Sequence, residues 1–322
     1  MLNKLDIPSY KEITNMFMSY IKMVDTNKWV LTMLALLVVY LLYKCSETNL
    51  TMEEGFSLND SKPYVLKNKN LYDDFYVSLY DDLVEDNNKV SGEMLQVMEV
   101  SKMDKTSRVL DVGSGTGHHV GYIKEKGINV IGLDNSQAMI NKSKENYPNC
   151  KFIRGNANDS FAFSSNEFTH VTCFYFTLYY IKDKKNFFEN CNNWLKDKGY
   201  LVIHLVDKYK FDPIVNAGDP FSILDVQNYS NDRIESSIVE FKTFSYNSNF
   251  KLIEKSNLAK FIETFKFKDN GRIRQNEHDL YMEKQNPIID MAKNAGFTVV
   301  DRIDLGTISY ENQFLYVLQN NK

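Results

Sequence analysis

The chain has 322 residues, a formal net charge of −4 and 43% hydrophobic residues, enough length and apolar content for a substantial core. No Lys/Arg-rich run stands out, which argues against a nucleic-acid partner held mainly through its phosphates. The four cysteines include no CxxC pair and have no histidines at zinc spacing, so no metal site is expected and a reducing compartment fits best.

Residues 1–28 read as amphipathic. Ile13, Phe17, Tyr20, Ile21 and Val24 fall on one side of a helix, a pattern suited to lying along a membrane surface. Residues 29–43, WVLTMLALLVVYLLY, are uncharged and bracketed by Lys28 and Lys44. As a helix they span about 22 Å against a hydrocarbon core of about 30 Å. That is short, although the flanking lysines can snorkel and Trp29, Tyr40 and Tyr43 suit the two interfaces. A membrane-anchoring, single-pass helix is expected, with a buried helix capping the domain as the other reading. Residues 44–70 are polar and read as a linker.

The sharpest signal is Arg108-Val-Leu-Asp-Val-Gly-Ser-Gly-Thr-Gly117. Val109, Leu110 and Val112 suit a buried parallel strand, Gly113, Ser114, Gly115 and Gly117 make the turn, and helical spacing resumes at His119. A strand, a glycine turn and a helix in that order bring backbone N–H groups to a sheet's C-terminal edge, where glycines let a ligand approach the main chain. A dinucleotide fingerprint needs a glycine at residue 118, which is His118. The run with Asp111 instead resembles motif I of the class I S-adenosylmethionine (SAM)-dependent methyltransferases. The resemblance implies that the glycine turn packs against the methionyl part of SAM and that Asp111 serves its cationic amino group.

Next, Asn129-Val-Ile-Gly-Leu-Asp134 reads as a second strand ending in an acid, placed to accept from both hydroxyls of a ribose. It resembles motif II, which implies Asp134 as the ribose ligand with Asn135 and Met139 near the adenine. A third strand, Lys151–Gly155, precedes Asn156 and Ala157. Relatives often carry an acid at the place of Asn156, whose side-chain oxygen can accept the same adenine hydrogen bond. Thr169 stands where many relatives have an acid. The fourth strand, Val171–Phe176, ends where the methyl donor is expected, and Phe174 there is assigned to the cofactor wall, with core packing the competing role.

A helix over 183–195 and a fifth strand, Gly199–Val206, complete the alternation. This predicts an α/β, doubly wound, mostly parallel seven-stranded sheet preceded by the N-terminal hydrophobic helix. Upstream, Tyr72, Tyr76 and Tyr80 recur every four residues and share a helix face; they resemble the lead-in helix that covers SAM in many relatives. From about 211 to 283 the chain reads as an inserted antiparallel meander, with strands over 237–242 and 259–268 and a turn at Asp269-Asn270-Gly271 into 272–281. A helix over 286–294 and strands over 298–303 and 314–318 follow. The methyltransferase domain is thus expected over 71–322, with the insertion shaping the acceptor pocket.

The expected function is a membrane-tethered methyltransferase acting by in-line displacement on a small-molecule or membrane-associated acceptor, its catalytic domain facing the cytosol. The alternative is a degenerate, non-catalytic SAM-binding module. If the acceptor must lose a proton, His204 at the end of the fifth strand is the first candidate base, followed by Glu277 and His278 on the inserted hairpin.

Overall fold

The computed structural model describes residues 62–84, 87–215 and 233–322, with Met33 and Leu36 as isolated helical positions. The chain divides into two units, Met1–Asp60 and Ser61–Lys322, and the architecture below is that of the second. The expected amphipathic segment and most of the hydrophobic segment 29–43 lie outside the described residues. Among the described residues no helix is long and apolar enough to cross a membrane.

Strand β1 (Tyr64–Lys67) leads through α1 (Asp74–Val84) and α2 (Asn87–Ser101) to β2 (Arg108–Val112). The alternation continues with α3 (His118–Glu125), β3 (Asn129–Asp134), α4 (Gln137–Asn146), β4 (Lys151–Arg154), β5 (Phe168–Cys173), the short α5 (Thr177–Tyr180), α6 (Lys184–Trp194) and β6 (Leu195–Val206). The insertion contributes β7 (Ser236–Glu240), β8 (Phe244–Ile253), β9 (Leu258–Phe267) and β10 (Ile273–Tyr281). Helix α7 (Gln285–Asn294), β11 (Phe297–Asp304) and β12 (Gln313–Asn320) follow.

The main sheet has the order β11-β12-β6-β5-β2-β3-β4. Strands β2 to β6 pair in parallel, while β12 is antiparallel to both β6 and β11, so the sheet is mixed. Its strands read as apolar on both faces because helices cover both. Val109, Val130, Val202, Leu315 and Val317 pack with α2 and α3, whereas their neighbours Leu110, Ile131, Leu201, Ile203 and Leu318 pack with α6 and α7. Side chains one apart along a strand point to opposite faces, which is why each strand serves two cores. Ser136 caps α4 by accepting from Met139 N, and Asp183 caps α6 by accepting from Asn186 N, as short polar side chains do at helix starts.

The second sheet has the order β1-β10-β9-β8-β7. Two of its strands were not foreseen. Tyr64–Lys67, expected within a linker, pairs in parallel with β10, so the linker reading fails for its last residues. β8 looks polar in sequence, yet Phe244, Tyr246 and Phe250 alternate into the core with Ser248 between them. The sheet packs on α1 through Leu71, Tyr76, Leu83, Phe244, Tyr246 and Phe265.

Candidate functional site

A cavity of about 680 Å³ lies at the C-terminal ends of β2 and β3, between the glycine turn and the inserted sheet. Its floor is the loop after β2. The amides of Gly113 and Ser114 both donate to Leu133 O, at 2.7 and 3.0 Å, which folds the turn back over β3. Gly113 and Gly115 have φ of +70° and +52°, a region that costs a side chain roughly 1–2 kcal/mol. A Cβ on Gly113 would run into Thr177, whereas one on Gly115 would meet nothing within 4 Å. Gly113 therefore serves close packing, and Gly115 leaves the main chain bare toward the cavity.

Two acids stand under this loop. Asp111 is 2% exposed and accepts from Thr172 Oγ1 at 2.7 Å. Burial pushes its carboxyl up to about 6, against the attraction of His119 and the Thr172 hydrogen bond. Asp134 accepts from Gly115 N at 3.0 Å through one oxygen and from Ser136 N at 2.8 Å through the other. Burial raises its pKa too, opposed by those backbone donors. Between them the two carboxylates keep acceptor capacity for a ligand.

The walls come from three places. Phe174 stacks on the His119 ring at 4.0 Å and 10°, and His119 Nε2 lies 2.9 Å from the buried Glu93. The lead segment is tied to the loop: Thr116 Oγ1 donates to Asp81 at 2.6 Å, and Ser136 Oγ donates to Tyr72 O at 2.9 Å. Tyr72, Tyr76 and Tyr80 accordingly face the cavity as a cluster with ring centroids 5.6 to 6.4 Å apart. Tyr72 precedes the first residue of α1 rather than lying within it. The inserted sheet closes the far side with Phe261 and His278.

Most of the expected cofactor residues meet in this one cavity: Asp111, Gly113, Ser114, Gly115, Asp134, Asn135, Met139, Asn156, Ala157 and Phe174 all line it. Gly117 does not. It caps α3 at φ +96°, where a Cβ would press on Phe152 and Tyr147, so its role is packing. Asn156 Oδ1 already accepts from Asn158 N at 3.0 Å. The neighbouring Asn158 Oδ1 is buried without a hydrogen-bond partner and lines the same cavity, so it is an equal candidate for the adenine end. Thr169 is structural, exchanging hydrogen bonds with the main chain of Arg108.

His204 does not line the cavity, which overturns its assignment as a direct base. It is fully buried, with Nδ1 2.6 Å from Tyr175 O. Burial first, then the Lys89 charge, pushes its pKa down to about 4. A β-strand's alternation explains the miss: Ile203 and Leu205 face one core, and His204 faces the other side, under Tyr175 rather than beside the cavity. Among the described residues no cluster of His, Cys, Asp and Glu could hold a metal ion.

Residues 109–199 match the family described as "Methyltransferase domain". The phosphoethanolamine N-methyltransferase of Plasmodium falciparum is 30% identical over 154 residues, covering 46% of this chain and 57% of that protein. The chain thus matches just over half the length of that curated relative. Among solved structures, the SAM-bound amino pentose methyltransferase from Micromonospora echinaspora aligns with TM-score 0.55 at 17% identity, over 78% of this chain and 98% of that one. A sugar N-methyltransferase from Streptoalloteichus aligns with TM-score 0.57 at 18% identity, over 84% of this chain and 100% of that one.

Proposed function

We propose that this chain, built around a class I SAM-dependent methyltransferase domain, moves a methyl group from SAM to an amine nitrogen. The observation that carries the reading is a single cavity with two acids, the buried Asp111 and the half-buried Asp134, under a glycine turn on one side and a tyrosine-rich wall on the other. The residues present fit the cofactor. Ser114 Oγ and Asn158 Oδ1 are buried without partners at its edge, and Gly115 leaves room for a ligand against the main chain. Asp111 would hold the amino group, Asp134 the ribose hydroxyls, and Asn156 or Asn158 the adenine amino group. When bound, SAM supplies a methyl group activated by its sulfonium.

The chain's own task is alignment and exclusion of water, and positioning can supply on the order of 7–11 kcal/mol of a barrier. The tyrosine faces suit a cationic ammonium group and the rim of a sulfonium. Support for nitrogen as the acceptor atom also comes from the similar proteins, whose names specify phosphoethanolamine, an amino pentose and a sugar N-methyl group. The acceptor is a small molecule or one presented at a membrane. We propose a membrane tether through a single pass over residues 29–43, which rests on the apolar run and its interfacial aromatic residues; a cytosol-facing catalytic unit rests on SAM chemistry alone.

Calorimetric titration of the full chain with SAM, S-adenosylhomocysteine (SAH) and NAD, beside Asp111→Ala and Asp134→Ala, tests the cofactor. SAM and SAH binding weakened in both variants, followed by label transfer to an amine, supports the reading. A folded chain that binds neither SAM nor SAH is a degenerate module. Sedimentation with membranes and resistance to carbonate extraction test the tether, which a freely soluble full chain would refute.

A further inference from the structure

Three polar side chains form a continuous hydrogen-bonded line from the cavity into the inserted sheet. The Tyr180 hydroxyl, on α5, lies 2.6 Å from His278 Nδ1. His278 Nε2 lies 2.7 Å from Glu263 Oε2. Tyr180 and His278 both line the cavity, whereas Glu263 is fully buried behind them. Glu263 is held from two further sides, by Tyr246 Oη at 2.8 Å and Asn276 Nδ2 at 3.4 Å. Asn276 is in turn fixed by Arg274 Nε at 2.9 Å.

The carboxylate sets the histidine's tautomer. Glu263 already accepts from Tyr246 Oη and Asn276 Nδ2 and, as a carboxylate, from His278 as well, so His278 carries its proton on Nε2 and presents a lone pair at Nδ1. Tyr180 must then donate its O–H to Nδ1 and turn its oxygen lone pairs outward. Tyr72, its ring 6.1 Å from that of Tyr180, stands at the cavity end of the line. Burial holds the Tyr180 phenol well above its ordinary range, so it keeps its proton and passes one on rather than standing as a phenolate.

We propose that Tyr180, His278 and Glu263 are a proton relay that prepares the acceptor nitrogen, an inference that rests on the amine-methyltransferase reading. An amine at neutral pH arrives as an ammonium ion, with no lone pair for attack. One N–H proton passes to the Tyr180 oxygen while the Tyr180 proton passes to His278 Nδ1. The acceptor is left as a neutral amine, Tyr180 is unchanged, and His278 becomes an imidazolium paired with the Glu263 carboxylate. Charge is conserved, and the new cation is formed beside a fixed anion. The groups facing His278 are Tyr180 from α5, Glu263 and Phe261 from β9, and Tyr72 and Tyr76 from the lead segment. The charged neighbours along β10 are paired elsewhere, Glu277 with Lys67 and Asp279 with Lys260.

The test follows SAH release by the full-length chain with ethanolamine and phosphoethanolamine as probes, from pH 5.5 to 9.5, for the wild type, Tyr180→Phe, His278→Gln and Glu263→Gln. Calorimetry with SAM accompanies each protein. The relay requires a fall in kcat of about 100-fold or more in Tyr180→Phe and His278→Gln, the scale of general-base assistance, with SAM affinity unchanged. It also requires the acid limb of kcat to move to lower pH in Glu263→Gln, because removing the anion makes His278 harder to protonate. Methylation of either amine with unchanged kcat and pH profile in these variants overturns the relay alone. SAM binding by the wild type without methylation of either amine overturns the amine reading and the relay with it.

Discussion

His204 Nδ1 lies 2.6 Å from the carbonyl oxygen of Tyr175, a residue whose backbone sits at φ +50°. A bulky side chain in that left-handed region is costly and persists only where its surroundings impose it. His204 therefore acts on the site through main-chain geometry, donating from Nδ1–H to hold Tyr175 at the cavity wall.

Substituting His204→Ala should accordingly destabilise the fold by about 1–3 kcal/mol through the unsatisfied carbonyl, with a further loss for the void. Methyl transfer should fall while SAM affinity changes little. Thermal unfolding and calorimetry on the same protein check both halves.

The same histidine makes stability depend on pH. Its pKa is depressed to about 4 in the fold from about 6.5 unfolded, so the unfolded chain takes up a proton first as pH falls. Stability is complete above about 6.5, declines between 6.5 and 4, and is then lost, by on the order of 3 kcal/mol. Denaturant titrations at pH 7.5, 5.5 and 4.5 should show this decline, and His204→Gln should flatten it.

Asp111 runs the other way. Its folded pKa is raised to about 6, so the unliganded fold favours the protonated acid, and that advantage disappears as pH rises from about 4 to about 6. Asp111→Asn should therefore stabilise the unliganded protein at pH 7.5, by up to roughly 3 kcal/mol, while weakening SAM binding at least tenfold. Wild-type SAM affinity should drop about tenfold per unit below pH 6, as a proton competes for the carboxylate. A melting temperature that falls in Asp111→Asn would contradict this.

The two loop glycines should separate. Gly113→Ala meets both a strained φ and Thr177 and should cost stability well beyond the roughly 1–2 kcal/mol of the backbone alone. Gly115→Ala meets only the strain, so it should fold and fail chiefly in SAM affinity. Melting temperatures and SAM isotherms on the pair distinguish the two roles.

Arg274 links the insertion to the lead segment, donating to Asp73 at 2.8 Å and to Leu71 O at 3.0 Å. Arg274→Lys keeps the charge but loses the planar fork. It should raise the acceptor KM more than it lowers kcat, which steady-state kinetics at saturating SAM would reveal.

The glycine-turn side of the candidate site was legible in the sequence because its demands are local. A glycine with positive φ, an acid at a strand end and a serine cap are each set by a few adjacent residues, as at Gly115, Asp134 and Ser136. The inserted-sheet side was not, because its logic is tertiary. Along β10, Arg274, Asn276, His278 and Leu280 turn inward while Gln275, Glu277 and Asp279 turn outward. Both faces read as polar, so alternation could not say which was core. Glu263 gave no signal at all, since its partners Tyr246, Asn276 and His278 lie on two other strands, β8 and β10. Phe244, Tyr246 and Phe250 did carry a period of two, hidden by the serines and asparagines between them.

The pairing of β1 with β10 also bears on how the molecule is made. Leu71 and Arg274 are 203 residues apart, and β1 reaches its partner only after the glycine loop and both acids have left the ribosome. Loop closure over that distance is slow relative to local pairing. The strands β2 to β5 can assemble the cavity floor while β1 still waits, so the wall formed by the inserted sheet is the last part of the cavity to close during synthesis. Interrupted or slowed translation between β6 and β10 would leave Leu71 and the tyrosines of α1 without their cover, and aggregation should set in from that segment first.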